Sequence, residues 1–559
     1  MKSAAASTSA DANGKDLVVI SSTINSGDVG SKFTNSAVPV LTWESALLDD
    51  LGMTQITSGV DFGTTSNQTN ASIFTTACSR TTMYTAAVGY GDGCHDISAG
   101  LTGTFSLLRQ SATVSWGKPG SAAQQIAFEP GNTNHALVFG YEKGAPMPRL
   151  AAAPARRVFV FLSDTSAATW TAKGQSLFDN AVFWATHTRY SITKKILHLN
   201  YNPTLPGQGN VLLSTYGNTH WFWNPDPIQL MKDYLADITE ASGGYVRWKL
   251  AKYTDIPDTL NQWVPITGPE QFHSATFTDQ DYLDAYDYAF TTRDFAGAGL
   301  RMPNGGDYSA DVNRTLDDFS VDAKVNAGEV DEVIISGFAY AGQAESYSAG
   351  STAYPINGPV VFRNTHNFVI MGQNYERQLS EALENFGHRT EWLLAFHTYR
   401  TTSNETLPYN PCYWPPNAAC GTRQPTPQRD IWDRFSVVDG NLTDQAGVGA
   451  AHWAPNAENR DTDEYRWDLT NFANSMGDDW YFNYPNLVGT STRRLVNVEE
   501  WRPMAQDGEP GRAFKKWWYH HMPRVPGHYV DANNAGNNGK LNNWWEYIVN
   551  FNRHPETQN

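Results

Sequence analysis

One stretch constrains this chain more than any other: His366 to His397, HNFVIMGQNYERQLSEALENFGHRTEWLLAFH. The apolar run Phe368 to Met371 reads as a buried strand, Gly372 as a turn, and the residues after it as a glutamate-rich helix carrying His388. A strand that ends in a polar turn and opens a helix is where open α/β sheets place ligand sites. Along that helix Leu379, Leu383, Phe386 and Leu393 form one apolar stripe, the side that faces a sheet. Glu381, Glu384, His388 and Glu391 fall on the opposite side at one-turn intervals. Helical histidine and glutamate spaced by a turn chelate divalent metals in metallohydrolases. Glu384, His388 and Glu391 are therefore candidate ligands for zinc or calcium, with His452 (in GAAHWAPN) completing the set. The same stripe is what any solvated amphipathic helix shows. Gly387 also weakens the helix by about 1 kcal/mol relative to alanine and is a candidate stop.

The strands before this stretch supply a second constellation. KILHLNYNP (Lys195 to Pro203) reads as a strand ending in a polar corner, and Glu332 to Gly337 as another that runs into GFAYAGQAES. Their carboxyl ends carry Asn200 and Asn202, then Glu345, and then Asn374, Tyr375 and Glu376. Glu345 and Glu376 on neighbouring loops would make a glycosidase pair, one acid and one base or nucleophile, with proton affinities set apart by environment. A helix start also stabilises a carboxylate such as Glu376 with no catalysis involved. In the catalytic reading Asn200, Asn202, Asn374 and Tyr375 orient the substrate, while Trp480 and Trp501, each preceded by two acids, stack on sugar rings. Doubled tryptophans such as Trp517-Trp518 and Trp544-Trp545 are equally how a loop-rich cap packs onto a sheet. There is no GxSxG elbow, so serine-hydrolase chemistry is unsupported.

Composition narrows the partners. With 559 residues the chain is too long for one ordinary core. A net charge of −17 excludes nucleic acid, whose phosphates need clustered Lys and Arg, and disfavours anionic membrane surfaces. No apolar run reaches the length that spans a bilayer. Nineteen tryptophans suit either a large core or a polysaccharide partner, whose apolar ring faces aromatic side chains cover. The four cysteines form two local pairs, Cys78 with Cys94 and Cys412 with Cys420, in loop-like segments that suit disulfides and an oxidising compartment. MKSAAASTSADANG lacks the apolar core of a signal peptide, so the chain reads as the mature part of a secreted protein.

Read in order, DLVVISS, VPVLTW, HALVFGYEKG and RRVFVFLSD are strands, WESALLDDLGM and LFDNAVFWATH are helices, and a turn-rich β insert fills about 54–134. The alternation implies an α/β layer. VVISSTINSGDVGSKF, VPVLTWESALLDDLGMT, YEKG and RRVFVFLSD together resemble a ThuA-like domain, a flavodoxin-type relative of class I glutamine amidotransferases. The resemblance implies a domain over 1–187 whose opening strand and helix are missing, which would leave a sheet edge open to a partner chain. That family's relatives use a Cys nucleophile on a tight elbow. Here there is none, and His95 and His135 are isolated, so the domain is expected to be accessory. DEVIISGFAYAGQAES, FVIMGQNYER, ENFGHRTE and NNWWEYIVNFN are similar to a family of large secreted bacterial proteins without a settled activity. The whole is expected to be two open, mostly parallel α/β domains, 1–187 and 188–559, the second capped from about residue 400 by a Trp-rich, loop-rich tail. The leading functional expectation is a secreted polysaccharide hydrolase that needs no cofactor. A metal-dependent hydrolase comes second and a non-catalytic glycan-binding protein third.

Overall fold

The structure is a computed structural model, and it describes residues 1–79, 93–187, 191–221, 226–256, 266–267, 279–301, 309–339, 341–398, 431–440, 442, 446–459, 461–528 and 539–550. The chain divides into two compact units. The first comprises Met1–Thr193 and Thr239–Trp248, and the second Lys194–Ile238 and Lys249–Asn559. The expectation placed a boundary at 187; the main segment of the first unit ends at Thr193, and Thr239–Trp248 belongs with it. Among the described residues no helix is long and apolar enough to cross a membrane.

The first unit carries a nine-stranded sheet: β1 (Val18–Ile20), β2 (Val40–Thr42), β3 (Phe62–Gln68), β4 (Asn70–Ile73), β5 (Thr104–Ser106), β6 (Ala112–Gly117), β7 (Gln124–Glu129), β8 (Asn132–Tyr141) and β9 (Arg157–Phe159). Its order is β1-β2-β9-β8-β7-β4-β5, with β6 pairing β3 and β8. Only β1–β2 and β2–β9 run parallel; the other pairs are antiparallel. The expectation of a mostly parallel sheet is therefore corrected. A parallel pair needs a crossover of a dozen residues or more, whereas β7 and β8 are joined by a tight turn through Gly131, which has φ +87. Helix α1 (Ala172–Thr186) starts where the Thr171 side chain accepts the Gly174 amide. Cys78 and Cys94 form a disulfide; Cys412 and Cys420 lie outside the described residues. Among the described residues β1 is an edge strand, and it exposes Val19. His135 stacks on Trp116 and binds Glu129 at 2.7 Å, while His95 accepts the Ile97 amide.

The sheet of β10 (Ile192–Tyr201), β11 (Val246–Ile256), β12 (Glu332–Gly337), β13 (Ser346–Gly350), β14 (Val360–Phe362) and β15 (Phe368–Asn374) has the order β11-β10-β12-β15-β13-β14, and all of it but Ile192–Thr193 and Val246–Trp248 lies in the second unit. β10, β12 and β15 are mutually parallel, and β13 turns antiparallel to β15, so this sheet too is mixed. The parallel strands are buried, largely apolar runs, the pattern of a sheet covered on both faces. One face holds Leu197, Leu199, Val333, Ile335, Phe368 and Ile370 in a single core.

Two glycines are read differently in the structure. Gly372 is not a turn; it lies inside β15, and a Cβ there would meet the Ala344 carbonyl oxygen at 2.1 Å. Its role is to let the segment carrying Glu345 approach the strand, and its amide donates to the Glu345 carbonyl at 3.0 Å. Gly387 does not end the helix: α2 (Leu379–Thr398) runs through it unbroken. A Cβ at Gly387 would meet the Ala451 Cβ at 3.0 Å, so the missing side chain admits the loop before His452.

Beyond residue 430 the chain packs on α2 as expected of a cap. Short helices α3 (Ile431–Phe435), α4 (Pro510–His520) and α5 (Trp544–Val549) bring in Trp432, Trp517, Trp518, Trp544 and Trp545, all fully buried. Pro510 opens α4, and Glu509 caps it by accepting from the Gly511 and Arg512 amides. Arg512 then clamps the buried Asp237 through both of its oxygens, at 2.6 and 2.9 Å, and Lys516 adds a third contact at 3.1 Å. These bonds fix the rotation of α4 and so the direction of Lys515. A buried pair, Arg389 with Glu332 at 2.6 Å, ties α2 to the sheet.

Candidate metal centre

The helix stripe of Glu384, His388 and Glu391 does not face open water. It faces the loop of residues 450–453 and helix α4, and Glu384, His388 and His452 each bring one ligand atom within 4.8 Å of the others. His388 Nε2 lies 2.8 Å from His452 Nε2, His452 Nε2 lies 3.1 Å from Glu384 Oε1, and His388 Nε2 lies 3.8 Å from Glu384 Oε1. Ligand bonds of about 2.0–2.2 Å to a tetrahedral ion give edges of roughly 3.3 Å, which these three separations bracket.

Both imidazoles are aimed from behind. Glu391 Oε2 takes His388 Nδ1 at 3.2 Å, and Glu464 Oε1 takes His452 Nδ1 at 2.8 Å. A carboxylate on Nδ1 fixes the tautomer that leaves Nε2 as the ligand atom, the usual arrangement behind metal-binding histidines. Glu391 is thus not a fourth ligand, as the spacing suggested. It orients His388, and its other oxygen accepts the Ala451 amide at 2.7 Å, which anchors the His452 loop.

Lys515 completes the floor. Its side chain is fully buried, its ammonium lies 3.2 Å from Glu384 Oε2, and the same ammonium sits 3.5 Å over the Trp467 ring. Lys515 thereby occupies one oxygen of Glu384 and leaves the other for the two imidazoles. Burial pulls the Lys515 ammonium down, and the Glu384 charge opposes that. For Glu384 itself burial raises the proton affinity, but hydrogen bonds from His388 and His452 and the Lys515 charge outweigh it, holding the carboxyl well below the usual range. Burial likewise works against a charged His388, yet bonds to Glu384 and Glu391 push it up to about 10. In the metal-free protein a proton therefore holds the position that a cation would take, and metal binding would release it. The open side carries Tyr465, Glu464 and Glu345, all exposed, and the Glu345 charge acts on both His388 and Tyr465.

The other expected site residues are scattered. Glu345 is exposed and accepts from Asn357 at 2.6 Å. Glu376 is largely buried, its Oε2 has no partner among the described residues, and burial pushes its carboxyl up to about 7. The charges that act on it are Arg377 and Glu381 rather than Glu345. Asn202 is used internally, exchanging two bonds with Ser214 at 2.8 and 3.0 Å. Tyr375 lies in the core, and Asn374 is half-buried at the end of β15. Trp480 and Trp501 do not offer faces to sugars, a correction that follows from burial. Trp480 packs on Phe435, Tyr484 and Trp544, and Trp501 packs on Phe514 and Trp517 while donating to the Trp467 carbonyl. Lys515, Glu464, Tyr465 and Trp467 were not foreseen. The doublet Lys515-Lys516 inside the apolar, aromatic helix GRAFKKWWYHH is the one signal that could have found any of them, since a lysine there needs a partner.

No family model, curated protein or solved structure matches the chain.

Proposed function

We propose that the chain is a secreted, divalent-metal-dependent hydrolase of the peptidase, amidase or esterase class. One observation carries this: Glu384 Oε1, His388 Nε2 and His452 Nε2 converge while carboxylates hold both imidazoles from behind. Atoms of this kind gather only around positive charge, which the His388 proton supplies in the metal-free protein and a bound cation would supply in its place. A two-histidine, one-carboxylate set suits zinc; calcium takes six to eight oxygens, so the donor set argues against it. A bound zinc would polarise the scissile carbonyl and activate the attacking water. Glu345, whose charge acts on His388 and Tyr465, would take the proton from that water and pass it to the leaving amine or alcohol, and the Tyr465 hydroxyl would donate to the carbonyl oxygen as it gains charge. Lys515 keeps Glu384 ionised and single-toothed. The Cys78–Cys94 disulfide supports the secreted location. The first unit serves as an accessory module in the manner of ThuA-like domains, and the open edge of β1 is where a second chain would add.

The carboxylate-pair glycosidase keeps one observation in its favour, a Glu376 carboxyl pushed into the range of a general acid. The test is hydrolysis of peptide, amide, ester and glycan panels by the full chain, each run with EDTA and again after adding back zinc. Amide or ester cleavage that is lost with EDTA and restored by zinc is the expected result. Glycan cleavage that survives EDTA and vanishes in Glu376→Gln would overturn the metal reading in favour of the carboxylate pair. No turnover on any panel would leave a binding protein.

A further inference from the structure

A different part of the second unit carries a polar feature that the metal centre does not use. On the sheet face opposite the apolar core, Asn200, Ser336 and Gln373 stand side by side on β10, β12 and β15, in register with one another. One rung back, His198 reaches forward and its Nε2 contacts Ser336 Oγ at 2.8 Å. All four are at most 2% exposed. Covered parallel strands are ordinarily apolar on both faces, so a polar row here at the carboxyl ends is a departure from what stability alone selects.

The row is also incompletely bonded. Among the described residues, Gln373 has neither Nε2 nor Oε1 partnered, Asn200 Oδ1 has no partner, and His198 Nδ1 has none. Leaving several such groups unpaired in one place is costly, and native proteins rarely do so without a role for them. The row reaches the partly exposed strand β11. Asn200 Nδ2 donates to Tyr253 Oη at 3.1 Å and to Asp255 Oδ1 at 2.9 Å on β11, where Tyr253 is half-buried and Asp255 exposed. The row lies at the carboxyl ends of parallel strands, outside which open α/β sheets bind ligands.

We propose that the row His198, Asn200, Ser336 and Gln373, entered past Tyr253 and Asp255, binds a neutral polyhydroxylated ligand, a sugar residue. The row contains carboxamides and a hydroxyl, groups that both donate and accept, as sugar hydroxyls do. The four residues of the row include no Lys or Arg for a phosphate or carboxylate, burial pushes His198 down to about 3 and so keeps it neutral, and the exposed Asp255, bound to Asn200, repels anions. Polar groups on adjacent strands repeat every ~4.8 Å, the scale on which hydroxyls are spread around a sugar ring. Tyr253, whose ring centroid is 5.2 Å from that of His198, supplies an aromatic wall. This site stands whether or not Glu384, His388 and His452 take a metal, so the two readings fail separately.

The test is thermal unfolding of the full chain with glucose, galactose, mannose, xylose, N-acetylglucosamine and cellobiose, and with glucuronate and glucose 6-phosphate as anionic controls. At least one neutral sugar is expected to raise Tm in a saturable way, the anions are not, and Gln373→Met is expected to lose the shift while folding as the wild type does. Gln373→Met removes only atoms that have no partner among the described residues. Should it still fail to fold, Gln373→Asn keeps the amide, withdraws it by one methylene and must lose the shift instead. No shift with any neutral sugar, which would leave the row to buried water alone, overturns the proposal. So does a shift that persists in the Gln373 variant, or an equal response to the anions.

Discussion

Glu376 and Glu384 lie eight positions apart in one strand-to-helix stretch, and each side chain is 12% exposed. They nonetheless end in opposite states. At Glu376 burial meets little resistance: the nearest cation, Arg377, is 3.8 Å away and itself mostly in water, so the carboxyl rises to about 7. At Glu384 the same burial is overcome by His388, His452 and Lys515, and the carboxyl stays ionised far below neutrality. The comparison teaches that burial alone does not make a carboxylate into an acid or a ligand. What decides is whether fixed, themselves buried partners face it.

The sharpest way to break the comparison is to remove a ligand. His388→Ala or His452→Ala should weaken zinc binding by more than the roughly 100-fold that bounds outer-shell changes, as read by competition with a chromophoric chelator. Next comes the floor: Lys515→Met leaves the Glu384 charge buried without its cation. Breaking a buried pair in this way costs ~3–5 kcal/mol, measured by denaturant unfolding of the metal-free protein, and added zinc should recover part of it.

Glu376 is expected to behave in the opposite sense. Its folded proton affinity is raised above the unfolded value, so between about 4.5 and 7 the folded state binds more protons and stability falls as pH rises. The full penalty, about 3 kcal/mol from the size of that shift, is present above pH 7 and absent well below 4.5. Glu376→Gln should therefore stabilise the chain at pH 8, leave it little changed at pH 4, and leave zinc affinity intact. The smallest effect belongs to the exposed orienting carboxylate. Glu464→Gln should lower zinc affinity by roughly 10-fold, the low end for groups behind a ligand, because water can replace part of its bond to His452.

Much of the second unit was legible in the sequence because its signals are local. The strand at Phe368, the helix at Leu379 and the glutamate–histidine stripe all follow from periodicity within one stretch. The convergence was legible in part: of the four candidate ligands Glu384, His388, Glu391 and His452, three bring an atom together and Glu391 stands behind His388. What periodicity could not convey was contact across long separations. Gly387 reads as a helix breaker because propensity sees only the helix, whereas its value lies in admitting Ala451 from the neighbouring loop. Lys515 was invisible because its partner is more than a hundred residues distant in the chain. Trp480 and Trp501 misled for the opposite reason: acids beside a tryptophan resemble a sugar cleft in sequence, but the rings face inward, Asp478 and Glu500 bind Arg494, and Asp479 is itself buried, accepting from the Val488 and Gly489 amides. In the first unit the strands were legible but their direction was not, because alternation of strand and helix does not extend into a region joined by hairpins.

The most direct test of the central claim is a zinc titration of the metal-free full chain by calorimetry, alongside His388→Ala and Glu376→Gln. The account predicts one zinc per chain, bound with release of a proton from His388, abolished in His388→Ala and unchanged in Glu376→Gln. Absence of saturable zinc binding in the wild type, or binding that survives His388→Ala, would contradict it.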